Sequence, residues 1–374
     1  MVTAEEMTRL SPAVMLEPLQ RLLEHLSEIL DSARQAEIDQ RYRRALDYQP
    51  IDRPPCVVYS PLPDDAPFKP YPLGECFGSP EKMLFNELVC AFDTSIALRD
   101  RIADDLPLTI RANFGTVLIA SMFGAAAEQI GDNPPWIRHD AVPVALQQVA
   151  ESDPADMSRG WIPRVAETLQ FYRETLSRWP NLNELIRIVL PDLQGPFDNL
   201  ELIGGSDVFL RMATDPESVD RALHALAAAQ VNLAGYLAPR VSDGPEGYCH
   251  QHAVGLKGRI LLRNDSCIMV SAARYREQIA PHDEHVLKAL GGGGIHCCGR
   301  IEHLVDEFLA LPSLQSLDFG QSELNDVDAV YRKAAEKRIA LIRVAVKREE
   351  LESGKAAERF PTGVVLIERR ASVN

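Results

Sequence analysis

Short apolar runs alternate with amphipathic stretches through most of this chain, and that alternation constrains the fold more than any single motif. The runs are Cys56–Tyr59, Leu108–Ala112, Ile186–Leu190, Ile260–Arg263, Gly294–Cys298, Leu314–Phe319, Ile339–Val344 and Gly363–Ile367. Helical spacing of apolar residues marks Glu81–Arg99, Pro163–Ser177, Pro216–Leu237, Ala272–Leu290, Ile301–Leu309 and Val327–Lys337 between them. Eight strands separated by helices suit a closed parallel (β/α)8 TIM barrel with its crossover helices outside. A doubly wound open sheet would want a glycine-rich turn of the dinucleotide type after the first strand, and none follows it. Ahead of the alternation, Leu16, Leu19, Leu22, Leu23, Leu26 and Leu30 recur at three- and four-residue spacings within a helical stretch from Pro12 to Ala45. The prolines of Pro50-Ile51-Asp52-Arg53-Pro54-Pro55 then break any helix. The expected organisation is an N-terminal helical extension over 1–45 and one barrel over 46–374.

Composition removes several function classes. A formal net charge of −15 argues against a nucleic-acid or anionic-membrane surface, where phosphate neutralisation needs clustered Lys and Arg. No apolar run approaches the roughly 20 residues needed to span a bilayer. The acidic start, Met1-Val2-Thr3-Ala4-Glu5-Glu6, has no signal-peptide pattern. Seven cysteines thinly spread over 374 residues do not read as a disulfide framework. The expectation is a reduced, cytoplasmic protein, monomeric or homodimeric, acting on a small molecule without nucleic-acid or membrane partners.

In such barrels the active site lies at the C-terminal ends of the strands. The polar residues fall at those ends: Arg111 and Asn113, Asp192 and Gln194, Asp265 and Cys267, His296 and Cys298, then Asp318. Several are i, i+2 pairs, which point to one face of an extended chain. The densest stretch is Gly291-Gly292-Gly293-Gly294-Ile295-His296-Cys297-Cys298-Gly299, where His296 and Cys298 converge while Cys297 faces away. Imidazole nitrogen and thiolate sulfur are ligands that zinc favours, but two do not complete a site. A half-buried His beside two packed thiols is the other reading. Asp265 either sits at the barrel mouth or caps the following helix, for which Ser271 is the better-placed cap. Arg111 either clamps an anionic substrate group or pairs inside the barrel. His250 and His252 form another i, i+2 pair, or an exposed loop before Gly255. His282 and His285 read as solvated, and Cys56, Cys76 and Cys90 as small packing residues.

These residues also carry a family likeness. Arg263-Asn264-Asp265-Ser266-Cys267-Ile268-Met269-Val270-Ser271, followed by Tyr275-Arg276-Glu277 and Pro281, resembles the uroporphyrinogen decarboxylase superfamily, with Ala272 where Pro is usual. Gly294-Ile295-His296-Cys297-Cys298-Gly299 resembles the His-x-Cys-Gly motif of that superfamily's zinc methyltransferase branch. Arg111-Ala112-Asn113-Phe114-Gly115-Thr116, Leu190-Pro191-Asp192-Leu193-Gln194-Gly195-Pro196 and Leu317-Asp318-Phe319-Gly320 look like further signatures, so the likeness runs from about Arg41 to Val373. It implies the same barrel.

The resemblance divides between two chemistries. Its porphyrinogen decarboxylases work without metal, through an arginine-rich loop after the first strand. Here that stretch reads Ser60-Pro61-Leu62-Pro63-Asp64-Asp65. Its zinc methyltransferases bind a thiol on the metal and exchange a methyl group with a corrinoid, often carried on a corrinoid protein. His296 and Cys298 match their first two ligands; the third is a Cys near the C-terminus, and no Cys follows Cys298 here. Cys267 is the expected substitute, followed by Asp265, His250 and His252, since sulfur joins a sulfur-containing zinc site more readily than carboxylate. Methyl transfer is therefore the leading expectation, with Asp265 and Asp192 as catalytic groups, and Arg111, Asn113, Gln194, Asp318 and His250 as substrate contacts. A metal-free uroporphyrinogen-type decarboxylase and a non-catalytic corrinoid- or thiol-binding barrel are the alternatives.

Overall fold

A computed structural model describes residues 16–91, 93–138, 142–244 and 246–371. The start of the expected first helix at Pro12, the acidic N-terminus and Val373 lie outside the described residues. Among the described residues, eight strands pair in parallel: β1 Cys56–Tyr59, β2 Thr109–Ile110, β3 Arg187–Ile188, β4 Leu261–Arg263, β5 Gly293–Cys297, β6 Leu314–Phe319, β7 Ala340–Ala345 and β8 Val364–Arg369. Six form one parallel sheet in the order β4-β5-β6-β7-β8-β1, and β2 pairs with β3 in a separate parallel ribbon. Asp105 N–H donates to Cys56 O (2.9 Å) beside β1, and Gly195 N–H donates to Arg263 O (2.6 Å) at β4, so both edges of the large sheet touch segments flanking the ribbon. The strands are apolar on both faces because helices cover one side and the interior fills the other, as parallel sheets require.

Register brings the polar residues level. Arg263 of β4 lies opposite His296 of β5, which lies opposite Asp318 of β6. On β7 the pairing with β8 jumps between Leu341 and Val344, and Arg343 sits in this bulge with φ of 57°. A bulge re-aims a side chain at the cost of ladder regularity.

The helices outside follow the expected pattern with several differences: the first expected helix is split at Leu30 and Asp31, and the expected Ile301–Leu309 helix shrinks to Val305–Phe308. α1 (Glu17–Ile29) buries Leu19, Leu22, Leu23 and Leu26, and α2 (Ser32–Leu46) buries Ile38, Tyr42 and Leu46, in the same core as the strands. Each fully buried leucine contributes about 1.5–3 kcal/mol. α3 (Pro80–Val89) stops well short of the expected Arg99: the chain turns at Asp93, whose φ is 58°, and resumes as a single short turn over Ile96–Leu98. α4 (Pro216–Leu237) matches its expected bounds, and Asp215 caps it by accepting from Ser218 N–H. The stretch from Ala272 to Leu290 is interrupted by a π segment, Tyr275–Ile279, before α5 (Ala280–Leu290). Pro281 has no N–H to offer the preceding turn, and a π-bulge accommodates that loss. Ser271 does cap the start of this stretch, accepting from Arg274 N–H.

The sequence pattern does not anticipate a buried hairpin, Tyr248–Gln251 paired antiparallel with Val254–Lys257. Its base meets α2, with Lys257 Nζ 2.7 Å from Asp47 Oδ1. Its second strand passes β6, where Lys257 N–H donates to Ser316 Oγ (3.2 Å). Its tip reaches the level of the polar row. Tyr59 OH donates to His252 O (2.7 Å), and the His252 ring stands 6.0 Å from that of His296, edge to face.

Candidate metal centre

Asp265, His296 and Cys298 present one ligand atom each within 4.8 Å of one another. His296 Nε2 lies 3.4 Å from Cys298 Sγ and 3.3 Å from Asp265 Oδ1. Zinc bonds of about 2.0–2.3 Å at tetrahedral angles set ligand atoms roughly 3.3–3.6 Å apart, so the two separations from His296 fit a zinc site and the three donors match it in chemistry. Cys297 faces away, as the strand alternation expects: its thiol donates to Asn264 O (3.1 Å).

Each donor is held from behind. Asp198 accepts the N–H groups of Asp265 and Ser266, both at 2.9 Å, which fixes the turn that follows β4. Asp265 Oδ1 accepts Cys298 N–H (2.8 Å), so its carboxylate braces the strand end instead of capping its own helix. His296 Nδ1 meets Asp318 Oδ2 at 3.0 Å, leaving Nε2 directed at the other two donors. Such a carboxylate behind an imidazole fixes ring orientation and raises ligand basicity. Arg343 then clamps Asp318 with both arms of its fork, Nε to Oδ1 at 2.6 Å and Nη2 to Oδ2 at 2.8 Å. Gly320 makes room for the thiol, because a Cβ there would fall 2.4 Å from Cys298 Sγ.

The electrostatics follow from this packing. Burial pushes Asp265 up, but the hydrogen bond and charge of His296, with the Cys298 contacts, outweigh it and hold the carboxyl at about 2. Burial pulls His296 down, yet the Asp318 charge and the hydrogen bonds from Asp265, Asp318 and Cys298 raise it to about 10. Asp265 keeps 38% of its side chain exposed while His296 and Asp318 are almost wholly enclosed. The centre is thus rigid beneath and open on the Asp265 and Cys298 side.

A second polar group adjoins it. Arg263 Nε contacts Asp192 Oδ2 (2.8 Å), and its Nη2 lies 3.1 Å from His252 Nδ1. Gln194 Nε2 donates to Asp192 Oδ1 (2.9 Å). Arg111 Nη2 donates to Asn113 Oδ1 (3.1 Å), and Asn113 Nδ2 to Glu87 Oε1 (3.2 Å). Burial lowers Arg111 to about 10, against the opposing charges of Glu87 and Asp192. Glu87, Arg111 and His252 line one small cavity of about 20 Å3. Arg111, Asn113, Asp192, Gln194, Asp265, His296, Cys298 and Asp318 therefore form one connected region.

Two expected residues are not brought there. Cys267 is fully buried, its thiol raised by burial and by the carboxylates of Asp198 and Asp283, and it stands outside the three-donor group. The turn after β4 sends Asp265 to the centre and Cys267 into the core. His250 is buried in a pair with Asp243, Nδ1 to Oδ1 at 2.8 Å, and lines a different cavity of about 180 Å3 beside α2. Its neighbour His252 is the one that reaches the centre. Cys56 and Cys76 are buried and Cys90 half-buried, with burial raising all three thiols, as packing residues should be. Sequence reasoning also missed Arg343, Glu87 and Asp198. For Arg343 a signal existed: a lone charge inside Ile339-Ala340-Leu341-Ile342-Arg343-Val344.

No protein-family model matches the chain, and no curated protein matches it by sequence. In three dimensions it is similar to a methyltransferase from Methanosarcina mazei, with a TM-score of 0.63 over 90% of this chain and 93% of that one. At 15% identity the likeness is one of fold.

Proposed function

We propose that this protein is a zinc-dependent methyltransferase that exchanges a methyl group between a corrinoid and a thiol, built on a closed (β/α)8 barrel. The observation that carries the reading is the convergence of His296, Cys298 and Asp265 at zinc-compatible spacing with a partly open side. Three protein ligands and a vacant position are the pattern of a catalytic zinc, whereas structural zinc takes four. When bound there, the metal would lower the pKa of a thiol substrate so that a thiolate exists near neutrality. Asp318 and Arg343 orient the imidazole. Arg111, Asn113, Asp192 and Gln194 offer a polar wall for the substrate's remaining groups. The fold shared with a methyltransferase supports the reaction class, and the acidic stretch after β1 weighs against a polycarboxylate porphyrinogen. A corrinoid protein is the proposed partner and the cytoplasm the proposed compartment.

Purified protein should carry about one zinc at this centre, and His296→Ala or Cys298→Ser should remove it. Cys297→Ser should retain it. Asp265→Asn should weaken it about 10–100-fold, and Cys267→Ser should leave it unchanged, reversing the order expected from ligand softness alone. Methyl transfer from methylcobalamin to a thiol should disappear with the metal. Zinc lost in Cys267→Ser but kept in Asp265→Asn would overturn the ligand assignment. A second reading rests on His296 being held protonated between Asp265 and Asp318, an arrangement that also suits metal-free acid–base chemistry such as decarboxylation. Full activity in zinc-free protein after chelation would favour it.

A further inference from the structure

The outer helical layer brings three histidines and an aspartate onto two facing helices, their donor atoms more widely spaced than those of the Asp265, His296 and Cys298 group. α4 and α5 pack side by side, and two rungs join them: His282 Nε2 lies 3.1 Å from Asp220 Oδ1, and the His224 and His285 rings are 6.0 Å apart at 45°. Both rungs ascend in the same direction, so the helices run parallel, with Asp220 and His224 at i, i+4 on one and His282 and His285 at i, i+3 on the other. Those spacings place each pair on one helix face, about 5–6 Å apart at Cβ.

We propose that Asp220, His224, His282 and His285 form a second divalent-metal site, of the zinc class, that staples α4 to α5. Three imidazoles and a carboxylate are borderline nitrogen and oxygen donors of the kind zinc takes. Two imidazoles on one tetrahedral zinc have ring centroids about 5 Å apart, since each nitrogen sits about 2.0–2.1 Å from the metal. The His224–His285 pair is within about 1 Å of that separation. His282 is buried and fixed, whereas Asp220, His224 and His285 are exposed and close on the ion by side-chain rotation. The other acids of α5 do not compete: Asp283 accepts from Tyr275 and Asn264 in the core, and Glu284 accepts from Ser313. Four protein ligands leave no open position, so the site is structural. It ties the last α-helix between β3 and the buried hairpin to the last α-helix between β4 and β5.

The test uses the full chain carrying His296→Ala and Cys298→Ser, which removes the candidate centre and leaves this site intact. That protein should keep one equivalent of zinc through gel filtration in metal-free buffer and melt at higher temperature with zinc than without. Its cobalt(II) form should show d–d absorption without a thiolate charge-transfer band. Adding His224→Ala and His285→Ala should abolish both the metal and the thermal shift, while circular dichroism stays unchanged because both residues are exposed. In the otherwise native chain, His224→Ala with His285→Ala should remove one equivalent and leave the thiolate band in place. No retained metal in the first protein, or equal retention after the two additional substitutions, overturns the proposal. Because the two centres have different cobalt spectra, loss of either is seen independently of the other.

Discussion

Two i, i+2 pairs look alike in this chain and behave differently: His296 with Cys298 at the end of β5, and His250 with His252 in the buried hairpin. At β5 the backbone stays extended through His296, and the pair converges to 3.4 Å. In the hairpin His252 and Ala253 are the two central residues of the turn, with φ of 50° and 61°. The left-handed backbone swings His252 away from the face that His250 occupies. His250 therefore pairs with Asp243, and His252 joins Arg263 and His296. Alternation along a strand predicts convergence only while the strand lasts.

The largest expected effect lies behind the β5 pair. Arg343→Ala removes the fork that neutralises Asp318, leaving a carboxylate buried beside an imidazole, and should destabilise the protein by about 3–5 kcal/mol in urea unfolding. Zinc retention should fall with it, because Asp318 no longer fixes His296. A loss under about 1 kcal/mol would mean that the clamp is replaceable by water.

Next comes a pH effect beneath the same strand end. Asp283 is wholly buried, accepting from Tyr275 OH (2.8 Å) and Asn264 Nδ2 (2.6 Å), and burial raises its carboxyl to about 7 against those hydrogen bonds. In the unfolded chain it titrates near 3.9. Between these values the folded state holds a proton that the unfolded state has released, so stability falls as pH rises from about 4 to 7. Above that the penalty levels at about 4 kcal/mol, from 1.36 kcal/mol per pKa unit. Asp283→Asn should therefore raise stability at pH 8 and change little at pH 4. A wild-type stability difference between those pH values that survives the substitution would assign it to other groups.

His250→Ala probes the other member of the comparison. It removes the contact with Asp243, whose carboxylate still accepts the residue-250 N–H, so the cost should be about 1–3 kcal/mol with zinc content unaltered. Zinc lost in this variant would join the two regions that the geometry separates.

What the sequence makes legible follows the same division. The strand runs, α4, the cap at Ser271 and the facing of Cys297 depend on local period and local chemistry, and they appear where expected. The site's supports depend on distant parts of the chain. Arg343 needs a bulge to turn inward, Glu87 comes from α3, and His252 arrives on a hairpin whose turn lacks the usual Asn-Gly signal. Ligand softness ranks Cys267 above Asp265, but the turn fixed by Asp198 points Asp265 out toward His296 and Cys298 and Cys267 into the core. Ligand chemistry ranks candidates only after the backbone has brought them to one point.

The smallest effect tests why that hairpin turn exists at all. A two-residue turn with both central residues left-handed is ordinary for Asn-Gly, but here it is His252-Ala253. An L-residue in that region costs roughly 1–2 kcal/mol, and glycine occupies it freely. Ala253→Gly removes the strain at one position while the added freedom of glycine in the unfolded chain offsets part of the gain. The net stabilisation should be a few tenths to about 1 kcal/mol, measured by urea unfolding. Gly255, two residues on, gives the contrast: a Cβ there would meet the Tyr42 ring at 2.8 Å, so Gly255→Ala should destabilise. If the hairpin tip holds His252 in place through contacts such as that of Tyr59 OH with His252 O, Ala253→Gly leaves the distance to His296 unchanged and alters stability alone. A shift of the His252 imidazole resonances in that variant, without any change at His250, would show instead that the strained turn itself aims the ring.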